Sequence, residues 1–263
     1  MPTITSLSTT QGKGGDPLSI TGSGFGTGTV NVSVGNKTVA GTAAGTTVST
    51  TVPSACAGQV NVTVTAAGSI SNGKAFFYVA VPECTGLSVT TGPEADAPNT
   101  TITGSGLASA TAVAFGGTAG TVVSHNGDFG LTVTPPDNPV TGAPVTVDVT
   151  ITSPGGTSTP SGASSQYTYY DTPTVSSVSP GTGTAGEEGV LVTGTGLYDV
   201  TGVTFTDPTT TTDYPVSDFA GLSDTQVLVT TPATLPAATA FDVTITNPGG
   251  TTAVNPAATF TTT

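Results

Sequence analysis

The chain has 263 residues, of which only 7% are Asp, Glu, Lys or Arg, against roughly a quarter in an ordinary soluble domain. Sixteen acids against three lysines, with no arginine, give a formal charge of −13, which repels phosphate backbones and anionic lipid and argues against nucleic-acid binding and membrane insertion. With one histidine and no tryptophan, the inventory also argues against a histidine-based catalytic triad and a multi-histidine metal centre.

Read from the N-terminus, Met1-Pro2-Thr3-Ile4 has neither a basic segment nor an apolar one, so no signal peptide is expected there. Short alternating segments follow, predicted as strands near 3–7, 17–21, 30–34, 37–40, 47–52, 59–65 and 74–80. Two blocks then recur in fixed order. Pro17-Leu18-Ser19-Ile20-Thr21-Gly22-Ser23-Gly24-Phe25 returns as Asn99-Thr100-Thr101-Ile102-Thr103-Gly104-Ser105-Gly106-Leu107 and as Gly189-Val190-Leu191-Val192-Thr193-Gly194-Thr195-Gly196-Leu197. The segment Val60-Asn61-Val62-Thr63-Val64-Thr65 returns at 147–152 and 241–246, and the last two copies run on into Pro154-Gly155-Gly156 and Pro248-Gly249-Gly250. Period-two alternation rich in Val and Thr is the pattern of strands with one buried face. Pro followed by Gly suits the centre of a type II turn, and no 3.6-residue apolar stripe lasts three turns. The fold class expected is all-β, in three tandem modules at 1–81, 82–171 and 172–263.

Units of this length with about seven short strands fit an immunoglobulin-like sandwich. The motif set resembles the IPT/TIG family of Ig-like domains. It is carried by the openings Pro2-Thr3-Ile4 and Pro173-Thr174-Val175, the Ile-Thr-Gly-x-Gly block, and the closings Phe76-Phe77-Tyr78, Tyr167-Thr168-Tyr169 and Phe260-Thr261-Thr262. Module one departs at the closing turn, where Ala66-Ala67-Gly68 stands, and module two opens with Cys84-Thr85-Gly86. The resemblance implies three sandwiches in an elongated rod. Such modules occur in transcription factors, receptors, starch-acting enzymes and bacterial or phage surface proteins.

The sandwich topology puts Cys56 in a loop at the pole where the last strand of module one exits, and Cys84 just past that exit. A disulfide across the junction is therefore expected, worth about 3–4 kcal/mol by loop closure, with two separate free thiols as the alternative. All three lysines, Lys13, Lys37 and Lys74, fall in module one, which carries +2, while modules two and three carry −7 and −8. This gradient serves solubility, or else makes module one a docking surface for an acidic partner. It also leaves trypsin no site beyond Lys74.

Asp207 with Asp213, Asp218 with Asp224, and Glu187-Glu188 match no calcium-loop spacing and read as solvated carboxylates, so no cofactor is expected, with calcium at these groups the minor alternative. His125 reads as a turn residue. Phe76, Phe77, Tyr78, Tyr167 and Tyr169 read as core, leaving Tyr170, Tyr198 and Tyr214 as exposed contact candidates. The function expected is non-enzymatic: a structural or interaction protein displayed extracellularly, foremost a virion component such as a capsid decoration or tail-associated protein. A secreted bacterial cell-surface or filament-forming protein and a carbohydrate-binding accessory protein are the alternatives. The partners are proteins, further copies of the chain, or a host-surface glycan.

Overall fold

The computed structural model describes residues 1–139 and 143–263. They form three β-sandwiches, each with its own core and no strand pairing to its neighbours among the described residues. The first is built from β1 (Thr3–Leu7), β2 (Gln11–Gly12), β3 (Pro17–Ser23), β4 (Thr27–Val34), β5 (Lys37–Ala44), β6 (Thr47–Thr51), β7 (Gly58–Ala66), β8 (Ser69–Ile70) and β9 (Lys74–Tyr78). The second comprises β10 (Glu83–Leu87), β11 (Thr91–Pro93), β12 (Thr100–Ser105), β13 (Ala112–Phe115), β14 (Thr118–His125), β15 (Gly130–Thr134), β16 (Val145–Ser153), β17 (Gly156–Thr157) and β18 (Gln166–Tyr170). The third comprises β19 (Thr174–Ser179), β20 (Thr182–Gly183), β21 (Val190–Thr195), β22 (Gly202–Asp207), β23 (Thr212–Pro215), β24 (Phe219–Ser223), β25 (Gln226–Val229), β26 (Ala240–Asn247), β27 (Gly250–Thr251) and β28 (Thr259–Thr262). The only helical segments described are short 3₁₀ turns at Leu107–Ser109 and Gly162–Ser165. Among the described residues no helix is long and apolar enough to cross a membrane.

The repeated blocks occupy repeated places. Ile20, Ile102 and Val192, from the first block, and Val64, Ile151 and Ile245, from the second, are fully buried. In all three modules the opening strand pairs antiparallel with the first-block strand and carries a register shift, at Ile4/Ser6, Cys84/Gly86 and Val175/Ser177. A buried hydroxyl recurs as well: Ser71, Ser158 and Thr252 each accept the N–H of Val64, Ile151 and Ile245 at 2.9, 2.9 and 3.0 Å. On the surface, threonine hydroxyls pair across strands, as in Thr174–Thr195 at 2.7 Å and Thr146–Thr168 at 2.8 Å. These cross-strand bonds give a charge-poor surface its polar contacts.

The Gly-x-Gly motif answers to two separate contacts. A Cβ on Gly22, Gly104 or Gly194 would lie 2.0, 1.8 or 1.8 Å from the carbonyl oxygen of Thr3, Glu83 or Thr174 on the opening strand. The second glycine of each motif has φ near +70° and lies against the proline before that strand, Pro2, Pro82 or Pro173.

The closing turn differs from expectation. In a type II turn Gly155 and Gly249 would take positive φ, but it is Gly156 and Gly250 that do, at 126° and 128°. Each turn is instead held by the residue before proline, whose side chain accepts the following glycine N–H: Gly155 to Ser153 Oγ at 3.0 Å and Gly249 to Asn247 Oδ1 at 2.8 Å.

One architectural difference sets module three apart. In modules one and two an eight-residue strand, β5 or β14, pairs with partners on both sides, β4 and β6 or β13 and β15, so the ladder runs unbroken from one layer to the other. In module three the same stretch is split into β23, which pairs only with β22, and β24, which pairs only with β25. Two sheets result, in the orders β19-β21-β25-β24 and β20-β28-β26-β22-β23. Pro215 ends β23, and a proline cannot continue a ladder that needs its N–H.

Candidate functional site

The two cysteines are free, which corrects the expected disulfide. Cys56 is exposed in the loop between β6 and β7. Cys84 is 1% exposed in the core of module two, where its Sγ donates to the Ser164 carbonyl at 3.6 Å and burial raises its thiol pKa. Its pairing opposite Gly104 is that of Ile4 opposite Gly22 and Val175 opposite Gly194. The residue therefore fills an aliphatic core position, facing away from the junction.

The lysines do not form one patch. Lys37 Nζ donates to the Ser54 carbonyl at 2.7 Å, on the loop that also crowds Gly14, so Lys37 and Lys13 flank the exit pole of module one. Lys74 opens β9, four residues before Tyr78, and lies roughly 13 Å from that pole by strand rise. The Lys13 ammonium faces module two, where a Cβ on Gly156 would sit 3.0 Å from Nζ.

Of the three tyrosines expected on the surface, Tyr170 is 7% exposed and donates its hydroxyl to Asp199 Oδ2 of module three. Burial, with Asp199 beside it, pushes its pKa up to about 12. Tyr214 is half-buried and meets Phe241 edge-on at 5.6 Å. Tyr198 is also half-buried, but it borders a groove of about 400 Å³ with Asp199, Leu222 and Asp224 and donates to Asp224 Oδ2 at 3.3 Å. Burial followed by the Asp224 charge raises its pKa.

A second groove, of about 470 Å³, is bordered by Glu188, Asp218, Phe219 and Leu228. Strand β24 contributes to both grooves. Its residues beyond Phe219 are exposed, Leu222 to 56%, and Leu228 on the neighbouring strand is exposed to 37%. Four carboxylates, Glu188, Asp199, Asp218 and Asp224, stand around this edge, and residues 172–263 contain no lysine or arginine. The sequence had marked Tyr198 but not the edge strand; the Asp-Tyr-Pro-Val-Ser-Asp run at 213–218 was the available signal.

The remaining candidates have structural partners. His125 ends β14, where its Nε2 donates to the Ala110 carbonyl at 2.9 Å, so it is a strand residue and not a turn. Asp207 is buried and accepts from the N–H of Thr209 and the hydroxyl of Thr210 at 2.8 Å each, which lowers its pKa. Asp213 accepts from Thr206 Oγ1 at 2.7 Å. Among the described residues no group of three or more His, Cys, Asp or Glu converges as a metal site.

The junctions between modules are made at backbone level. A Cβ on Gly155 would lie 2.0 Å from the Ala80 carbonyl oxygen, and one on Gly249 2.3 Å from that of Asp171. Each Pro-Gly-Gly turn thus presses on the linker that leaves the preceding module. The second glycine of the Gly-x-Gly motif closes the other side, Gly106 on Val81-Pro82 and Gly196 on Thr172-Pro173. At the second junction Thr172 Oγ1 also donates to the Gly249 carbonyl at 3.3 Å.

The IPT/TIG domain model matches residues 2–78. With two further sandwiches of related strand order, the chain resembles tandem IPT/TIG domains. No curated protein matches the sequence. Among solved structures, one determined with a xylogluco-oligosaccharide is similar over 99% of this chain and 60% of its own, at 17% identity and a TM-score of 0.41. The plexin A4 full extracellular region is similar over 92% of this chain and 23% of its own, at 16% identity and 0.44. SGBP-B from a complex xyloglucan utilization locus in Bacteroides uniformis is similar over 93% and 98%, at 15% and 0.31. The chain thus spans 60% and 23% of the first two, and these are likenesses of architecture alone.

Proposed function

We propose that the chain, with an IPT/TIG domain at 2–78 and modules bounded at 1–81, 82–171 and 172–263, is a non-catalytic scaffold displayed outside the cell. The observation that carries this reading is the pair of junctions. Each linker is clamped between two glycine turns, one closed to any side chain by the linker backbone and the other held at positive φ against it, and the second junction adds the Tyr170–Asp199 hydrogen bond. A chain meant only to string independent modules together would leave its linkers solvated and mobile. This one spends three buried or positive-φ glycines per junction on holding modules in fixed relation, as a spacer needs. The single histidine is bonded to a backbone carbonyl, which supports the non-catalytic reading.

Virion component, as capsid decoration or tail-associated protein, and cell-surface filament protein are the two forms of the proposal. Fractionating the native source separates them. Recovery in purified virions supports the first and recovery in a surface fraction the second. A protein found solely as soluble monomer overturns both.

A glycan ligand is the second reading, favoured by the Tyr198 groove. There a partly exposed aromatic ring stands beside two carboxylates, Asp199 and Asp224, that accept hydrogen bonds. A ring face and fixed acceptors are the usual elements of sugar recognition. Electrophoresis through gels containing soluble polysaccharide checks it: retardation that Tyr198→Ala removes supports the reading, and unretarded migration in every glycan overturns it.

A further inference from the structure

We propose that the free edge of β24 in module three accepts an extended strand from a protein partner whose ends carry lysine or arginine. This goes beyond the scaffold reading and stands without it.

The argument begins with hydrogen-bond parity. The Thr230 N–H donates to the Asp218 carbonyl at 3.0 Å, so these two residues form a hydrogen-bonded pair at the start of the β24–β25 ladder. Antiparallel pairs alternate. Phe219 opposite Val229 and Gly221 opposite Val227 are then the non-bonded pairs, and Ala220 opposite Leu228 the bonded one. The N–H and C=O of Phe219 and of Gly221 consequently point away from the sheet, toward solvent.

Modules one and two leave no such edge here, because β5 and β14 are paired on both sides. Natural sheets protect exposed edges with lysine, proline or a bulge. Strand β24 contains neither lysine nor proline, and its register shift falls at Gly221/Ser223, beyond the two outward residues. Nothing stands within 4 Å of the Gly221 Cβ position, so the sheet face at the middle of this edge is uncovered. The flanking grooves give the added strand's alternate side chains places to rest, against Phe219 and Leu228 at one end and Leu222 at the other.

Charge selects the occupant. Asp218 and Asp224 bracket the strand, with Glu188 and Asp199 beside it. A second copy pairing antiparallel about Gly221 would set Asp218 against Asp224, and parallel pairing would align like with like, either of which is destabilising. A foreign strand with an apolar, β-branched centre and basic ends reverses the sign at both ends.

The experiment titrates the full ¹⁵N-labelled chain with the synthetic peptide KKTVTVTKK, with its Glu-ended counterpart as control. The expected result is chemical-shift change and exchange protection concentrated at the Phe219 and Gly221 amides, weakened by added salt and absent for the acidic peptide. Gly221→Pro removes one outward donor and is expected to weaken binding roughly ten-fold. Because that variant also alters the backbone, the Asp218→Asn/Asp224→Asn double variant tests the charge element on an unchanged ladder, with a similar loss expected. Shift changes elsewhere, equal binding of the acidic peptide, affinity untouched by the double variant, no binding at millimolar peptide, or a β24-mediated homodimer would each overturn the proposal.

Discussion

Tyr78, Tyr169 and Thr262 hold the same place on the closing strands of their modules, but their hydroxyls fare differently. Tyr78 donates to the Pro53 carbonyl at 2.6 Å, and Thr262 donates to the Pro236 carbonyl at 2.5 Å. Tyr169 and its neighbour Tyr167 are fully buried, and neither hydroxyl has a hydrogen-bond partner among the described residues. Tyr167 fits because Gly92 leaves room: a Cβ there would lie 2.1 Å from the phenolic oxygen. A buried hydroxyl without a partner carries its full desolvation cost, whereas a satisfied one contributes about 0.5–1.5 kcal/mol. Tyr78→Phe is therefore expected to lower the calorimetric transition of module one by about 1 kcal/mol, and Tyr167→Phe to leave module two unchanged or more stable. The same burial fixes the alkaline behaviour. Burial pushes the pKa of Tyr167 up to about 12 from a usual value of 10.0, and Tyr169 is raised in the same direction. A phenol whose folded pKa is raised contributes stability in full below its unfolded pKa and loses it as pH climbs through the folded one. Module two should thus lose stability between about pH 10 and pH 12, with tyrosinate absorbance rising together with loss of near-UV dichroism rather than before it.

At the scale of elements, the glycine turns are where single substitutions should tell most. Gly104→Ala forces a methyl carbon to within 1.8 Å of the Glu83 carbonyl oxygen, so the opening strand must shift. The expected cost is about 1–3 kcal/mol, read as a fall in the melting temperature of module two. Gly249→Ala acts instead on a junction, against the Asp171 carbonyl. It should leave the module cores intact and loosen modules two and three, seen as an increased radius of gyration by solution scattering. Most of this architecture was legible in the sequence. Period-two alternation located β1, β3, β4, β5, β6, β7 and β9, and the repeated blocks marked equivalent core positions. The errors came from reading residues by type and not by place in the repeat. Cys84 was treated as a bridge-former, although the aligned openings put it where Ile4 and Val175 stand. The Pro-Gly dipeptide was read as turn chemistry, although its glycine is there because a linker passes within contact distance. Tyr170 reads as exposed in the sequence because its partner, Asp199, lies in the next module, 29 residues on. The split of β23 from β24 was signalled by Pro215, which has no counterpart in β5 or β14.

At the scale of the whole molecule, charge and cleavage sites divide the chain in the same place. Module one holds all three lysines against Asp16 alone, while modules two and three hold fifteen acids between them. Trypsin therefore finds its sites only at Lys13, Lys37 and Lys74, and their settings rank them. Lys13 and Lys37 are exposed, the first in the turn after β2 and the second as the opening residue of β5, paired opposite Val34. Lys74 begins β9, paired opposite Val62 at the end of the β7–β9 ladder, and the residues that follow it, Ala75 to Tyr78, are all paired with β7. A protease needs an extended stretch of backbone free of its ladder, so cleavage at Lys37 and at Lys74, each the first residue of a paired strand, has to wait for module one to open. Native digestion followed by intact-mass spectrometry is expected to yield a fragment beginning at residue 14, with the fragment beginning at residue 38 and the 75–263 fragment appearing only under conditions that melt module one. That fragment should then persist, because no further site exists in it. Early release of 75–263 from the native chain would mean that β9 opens independently of the sandwich it closes, and the fixed first junction inferred from Ala80, Gly155 and Lys13 would lose its support.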